Sequence, residues 1–124
     1  MAGVDGTALI TVTRHIEPAA ARSGSDRDLV VVAVAGEVDL ETVTLLRTAL
    51  LDATERRPHV CCDLSQVTFF GAAGVNALVA ANHRATAHGS EFFVRGVQGI
   101  VRRVLEITRL DQTLRMEPAP SQGG

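Results

Sequence analysis

The sequence predicts a single α/β domain: a mixed sheet of four to five strands, parallel at its centre, with helices packed on it. Three observations predict it. Apolar runs of strand length, rich in Val, alternate along the chain with stretches whose apolar residues recur every three or four positions. A strand–helix–strand order demands crossover connections, and crossovers join parallel strands. The chain has 124 residues, 46% of them hydrophobic and 21% charged, which suits one domain around one sizeable core.

Leu9 to Ile16 alternates apolar and polar residues, the period of a half-buried strand. Glu17 to Asp28 mixes Pro, Ala, Ser and Gly with charge and reads as a mobile loop. Leu29 to Ala35 is a continuous apolar run, as in a central strand buried on both faces, ended by Gly36 and Glu37. Asp39 is placed to cap a helix on which Val43, Leu46, Leu50 and Ala53 form the apolar stripe and which Pro58 stops. His59 to Leu64 is the next strand. A second helix starts near Gly74, carries Val75, Leu78, Val79 and Ala85, and stops at Gly89. Glu91 to Arg95 is a strand, Gln98 to Thr108 a third helix, and Thr113 to Met116 a short last strand. The organisation expected is a flexible N-terminus over 1–8, the domain over 9–116 and a flexible tail over 117–124.

Composition excludes several function classes. Twelve basic against fourteen acidic residues give a net charge of -2, the wrong balance for gripping phosphates, so no nucleic-acid partner is expected. With no Trp, no Tyr and four Phe there is no platform for stacking bases. Met1 to Thr7 has neither a basic stretch nor a long apolar one, and no run approaches the roughly 20 residues of a membrane-crossing helix. The expectation is a cytoplasmic protein without membrane insertion. His15, His59, His83 and His88 have no ligand-like spacing, so no metal is expected. Cys61 and Cys62 are neighbours whose side chains point to opposite faces of a strand; they read as small buried hydrophobes, with redox pairing between molecules as the alternative. No phosphate-binding Gly loop with its Lys, nucleophile elbow or defensible acid–base pair is present, so the chain is expected to be a binding module rather than an enzyme, without cofactor.

The turn Phe69-Phe70-Gly71-Ala72-Ala73-Gly74 is unusual, because it opens a helix with Gly and Ala where Ser, Thr, Asp or Asn would cap the first N–H groups. Two accounts fit. Small residues permit close helix–sheet packing, or they leave a flat surface open to a partner. Of Phe69 and Phe70, alternation buries at least one.

Three stretches, in order, carry a resemblance. These are Val34-Ala35-Gly36-Glu37-Val38-Asp39, Asp63-Leu64-Ser65-Gln66-Val67-Thr68-Phe69, and the helix from Val101 to Leu110. They resemble the STAS domain of bacterial anti-sigma-factor antagonists and sulfate transporters, over about Leu9 to Met116. The family's turn usually reads Asp-Ser-Ser-Gly, its second Ser accepting phosphate from an ATP-dependent anti-sigma kinase. Here Gly71, Ala72, Ala73 and Gly74 stand in those places, so the acceptor position is Ala73 and cannot be phosphorylated. Arg109 stands where the family commonly has Gly.

The resemblance implies an antagonist that binds an anti-sigma factor of the serine-kinase type and regulates sigma-dependent transcription. The partner surface it implies comprises Gly36, Glu37 and Asp39 together with Phe70, Gly71, Ala72, Ala73, Gly74, Val75 and Asn76. Ser65 and Thr68 are alternative hydroxyls for modification, against the commoner role of local bonding to backbone. The alternative function is an accessory subunit of a lipid-transport ATPase or a signalling scaffold. A homodimer is left open.

Overall fold

The computed structural model describes residues 10–18 and 28–116. The flexible ends expected at 1–8 and 117–124 lie outside the described residues, as does most of the expected loop between the first two strands. In chain order the elements are β1 (Ile10–Glu17), β2 (Leu29–Val38), α1 (Val43–Arg56), β3 (His59–Phe70), α2 (Ala72–Ala87), β4 (Glu91–Arg95), α3 (Gly99–Ile107) and β5 (Arg115–Met116). A short 3-10 turn, Leu110–Gln112, precedes β5. The sheet has five strands in sequence order; β1 runs antiparallel to β2 and every other neighbouring pair is parallel. This is the mixed sheet the alternating pattern predicts.

The pleat divides the strands between two apolar clusters. Val30, Val32 and Val34 of β2, Val60, Cys62 and Leu64 of β3, and Phe92 and Val94 of β4 face the helices. There they meet Leu46 and Leu50 of α1, Leu78 and Ala81 of α2, and Val101 and Leu105 of α3. On the opposite face Leu29, Val31 and Cys61 form a second buried cluster with Phe93 packed against it. The continuous apolar run of β2 is thus buried on both sides. Each fully buried Val or Leu contributes roughly 1.5–3 kcal/mol of transfer free energy.

Several boundaries differ from the sequence reading. β3 continues six residues past Leu64, because a bulge absorbs the polar stretch: Ala33 pairs with Asp63 but Ala35 with Gln66. β2 likewise runs to Val38 rather than ending at Gly36 and Glu37. α1 starts at Val43 with Thr42 as its N-cap, so Asp39 caps the preceding turn and not the helix itself. α2 starts at Ala72, two residues earlier than expected, and buries Ala77 and Ala81 in place of Val75 and Val79. Gly89 has φ +71, the left-handed conformation a helix stop requires. Arg109 has φ +63, a left-handed backbone that a residue with a side chain rarely adopts.

Candidate functional site: the turn between β3 and α2

The ends of β2 and β3 are held side by side. Glu37 pairs with Phe69 and Val38 with Phe70, and the Gly71 N–H donates to the Val38 carbonyl at 3.0 Å. Gly36 sits at a second register shift with φ +107, a backbone that side-chain-bearing residues rarely adopt. The loop that leaves β2 is fastened by a reciprocal pair. The Asp39 carboxylate accepts the N–H groups of Glu41 (2.9 Å) and Thr42 (3.0 Å). Thr42 Oγ accepts the Asp39 N–H at 3.0 Å and donates to the Glu37 carbonyl at 2.6 Å. Asp39 is therefore a fastening of this loop. Thr42, which sequence reasoning missed, is its buried counterpart, and the signal for it was the three-residue spacing of a reciprocal cap.

α2 begins immediately beyond. Gly71 is its N-cap in an extended conformation, and no side chain caps the helix. Gly74 is forced by packing: a Cβ there would lie 2.6 Å from the Phe70 ring. Phe70 is 1% exposed and belongs to the core, whereas Phe69 is 44% exposed and is the aromatic that the site presents. Ala72 and Asn76 are exposed, and Gly71, Ala73 and Val75 are half-buried. Glu37 is exposed and Gly36 and Asp39 half-buried. Leu40, another residue sequence reasoning passed over, is 83% exposed two residues beyond the end of β2. The structure thus brings Gly36 to Asp39 and Gly71 to Asn76 to one end of the sheet. Small residues lie there between exposed apolar side chains, while Phe70 and Gly74 support the surface from beneath.

The two alternative hydroxyls are placed differently. Thr68 is exposed on β3. Ser65 is half-buried at the bulge, where its N–H donates to Asp63 Oδ1 at 2.9 Å. Cys61 and Cys62 are both fully buried, one in each apolar cluster, so their thiols cannot meet within the chain. Burial pushes the Cys62 thiol well above its ordinary value, away from reactive thiolate. His59 Nδ1 lies 2.8 Å from Glu91, and its buried Nε2 finds no partner among the described residues.

On the face opposite the helices, Arg95 reaches across the sheet. Its guanidinium donates to both Glu17 oxygens at 3.0 and 2.6 Å and to Asp63 at 3.1 Å. The hydrogen bond from Arg95 holds the Glu17 carboxyl below its usual value, against the opposing effect of burial. Burial alone would raise Asp63; bonds from Ser65 and Arg95 outweigh it and keep this carboxyl low as well. An open cleft of about 490 Å³ lies at the far end of β4, lined by Arg95, Gln98, Arg102, Glu106 and Asp111 among others, and no residue of the turn borders it. Among the described residues no three of His, Cys, Asp and Glu gather to hold a metal, and no helix is long and apolar enough to cross a membrane.

A family model described as "Mlab, STAS domain" matches residues 21–117. Among solved structures, an anti-sigma factor antagonist from Mycobacterium paratuberculosis superposes with a TM-score of 0.74 at 27% identity, over 90% of this chain and 87% of that one. The anti-sigma factor antagonist SpoIIAA in its unphosphorylated form gives 0.65 at 17% identity, over 90% of each chain. The Bacillus cell-fate determinant SpoIIAA in its phosphorylated form gives 0.61 at 16% identity, over 90% of this chain and 94% of that one. The SpoIIAA likenesses establish the shared fold.

Proposed function

We propose that this chain, which belongs to the STAS domain family, is an anti-sigma-factor antagonist that holds an anti-sigma factor of the serine-kinase type and so regulates sigma-dependent transcription. The observation that carries the reading is the hydroxyl-free turn Gly71 to Gly74, which opens α2 at the sheet end between exposed Phe69 and Leu40. The contact surface is Gly36, Glu37 and Asp39 with Gly71, Ala72, Ala73, Val75 and Asn76; Phe70 and Gly74 act from below. The likeness to the mycobacterial antagonist over nearly the whole of both chains supports the general role. SpoIIAA is known in both a phosphorylated and an unphosphorylated form. Ala73 stands where the family's acceptor Ser belongs. A phosphate would add about -1.5 to -2 charges to an apolar contact. Without a hydroxyl the chain stays in its binding-competent form. The expected place of action is the cytoplasm, with no enzymatic step and no nucleic-acid contact.

The test is affinity capture of the tagged protein from its own cell lysate, with Ala73→Glu as the control bait. Recovery of an anti-sigma kinase by the wild-type chain and its loss with Glu supports the reading. We expect affinity to fall at least about tenfold, the equivalent of 1.4 kcal/mol. Incubated with that kinase and ATP, the wild-type chain should take no phosphate while Ala73→Ser is labelled. Recovery of transporter subunits or a large signalling assembly instead, unaffected by Glu at 73, would overturn it in favour of the accessory-subunit or scaffold role.

A further inference from the structure

The turn that carries the chain from β2 into α1 displays an apolar side chain on a fixed frame. Leu40 is the most exposed large apolar residue among those described, and Leu45, in the first turn of α1, is exposed as well. Hydrogen bonds hold the backbone on both sides of Leu40. The Asp39 carboxylate accepts the N–H groups of Glu41 and Thr42, while Thr42 Oγ accepts the Asp39 N–H and donates to the Glu37 carbonyl. The Asp39 carboxylate is thereby engaged by backbone. The carboxylates left to meet a partner here are those of Glu37 and Glu41, both exposed and neither in an ion pair among the described residues. Positions 36–46 and 66–82 contain no Lys, Arg or His, and their acids are Glu37, Asp39 and Glu41. The turn therefore offers apolar contact beside charge of one sign.

We propose that this turn is a second docking element for the anti-sigma factor: Leu40 enters an apolar recess of that partner, and Glu41 meets a Lys or Arg on the rim of the recess. The inference rests on the function proposed above and adds a side-chain anchor to its contact. Three observations carry it. Gly71, Ala72, Ala73 and Gly74 have almost no side chain to bury, so apolar area for a stable contact has to come from their neighbours. Leu40 supplies that area from a backbone already fixed by hydrogen bonds, so binding orders little beyond the Leu40 and Glu41 side chains themselves. Charge names the chemistry of the occupant: a surface whose ionised groups are all acidic is matched by a basic one and repels an acidic one.

The test takes the anti-sigma factor that the wild-type full chain recovers and measures its affinity by biolayer interferometry. The variants are Leu40→Ser, Leu40→Met and Glu41→Lys, each at ionic strengths of about 0.05 and 0.5 M. Leu40→Ser should weaken binding at least about tenfold without lowering the thermal midpoint, because Leu40 packs against solvent in the free chain. Leu40→Met keeps the apolar bulk and should recover most of that loss. Glu41→Lys sets a cation against the basic rim; it should weaken binding at least about tenfold at the lower ionic strength, with the loss shrinking at the higher one. If Ala73→Glu releases the partner while Leu40→Ser and Glu41→Lys bind it as the wild-type chain does, the docking element is overturned and the proposed function stands. A loss at Leu40→Ser that Leu40→Met shares in full would also overturn it, since the apolar side chain would then not be the anchor. If the wild-type chain recovers no anti-sigma factor, the proposed function fails and the docking element with it.

Discussion

Two glycines near the end of β4 share a positive φ in different surroundings. Gly96 has φ +71 and Gly99 φ +57, so both favour Gly on conformational grounds alone. Their surroundings differ. A Cβ at Gly96 would stand 2.6 Å from the Ser65 backbone nitrogen, whereas a Cβ at Gly99 meets nothing within 4 Å. The close approach at Gly96 seats the chain leaving β4 against the bulge of β3. Gly99→Ala should therefore cost about 1 kcal/mol, the left-handed penalty by itself. Gly96→Ala should cost roughly 2–3 kcal/mol more, because backbone has to move and no flexible side chain can yield. Urea unfolding at unchanged slope measures both. Equal losses would mean that φ matters at Gly96 and the contact with Ser65 does not.

Among the elements, those written in repeating apolar residues were legible. The β4 range is the one the sequence predicts, and α3 lies within its predicted range with Gln98 and Thr108 as caps. What escaped was whatever depends on a partner far along the chain or on residues without a strong preference. The last half of β3 is polar enough to read as loop until the bulge is seen. The apolar face of α2 is made by Ala77 and Ala81, which periodicity weighs lightly beside Val75 and Val79. Within the candidate site, Gly36, Glu37 and Gly71 to Asn76 could be named from the resemblance, but only packing separates Phe69 at the surface from Phe70 beneath it. The start of α2 is the element that links stability to the proposed role. Gly71 already has the extended backbone of an N-cap and lacks the side chain to act as one. Gly71→Asp supplies a carboxylate to the first N–H groups and to the positive end of the helix, and should stabilise the domain by about 0.5–1 kcal/mol. The Phe69 ring, 3.3 Å from a Cβ at this position, has to give slightly and is exposed enough to do so. A thermal midpoint raised by about 2–8 °C is the expected reading. A lowered midpoint would show that the contact with Phe69 outweighs the cap.

For the molecule as a whole, both faces of the sheet bury apolar side chains, and the face away from the helices carries an ion-pair clamp as well. The helices close one face through apolar packing. On the other, Arg95, 7% exposed, ties β1 to β3 and β4 through Glu17 and Asp63. Glu17 and Arg95 are 78 positions apart, a separation at which charge spacing carries no signal, so this clamp was invisible in the sequence. Its pH dependence follows from the carboxyls. Both are held below their ordinary values in the folded chain, Glu17 chiefly by the Arg95 hydrogen bond and Asp63 by Ser65 and Arg95 together against the cost of burial. A carboxyl depressed by folding contributes stability that is present above its unfolded value, near 4, and is lost as pH falls through the folded one. Unfolding free energy should therefore decline from about pH 5 downward. Arg95→Met removes the cation and leaves two carboxylates half-buried without it. At pH 7 it should cost about 3 kcal/mol, as when one partner of a buried pair is deleted. The loss should shrink on acidification, since protonating Glu17 and Asp63 relieves the variant while weakening the wild-type clamp. Urea midpoints at pH 7, 5 and 3.5 decide it: a gap that closes as pH falls supports the clamp. A gap constant over that range would mean that Arg95 stabilises the sheet through the packing of its alkyl stem, with its charge contributing little.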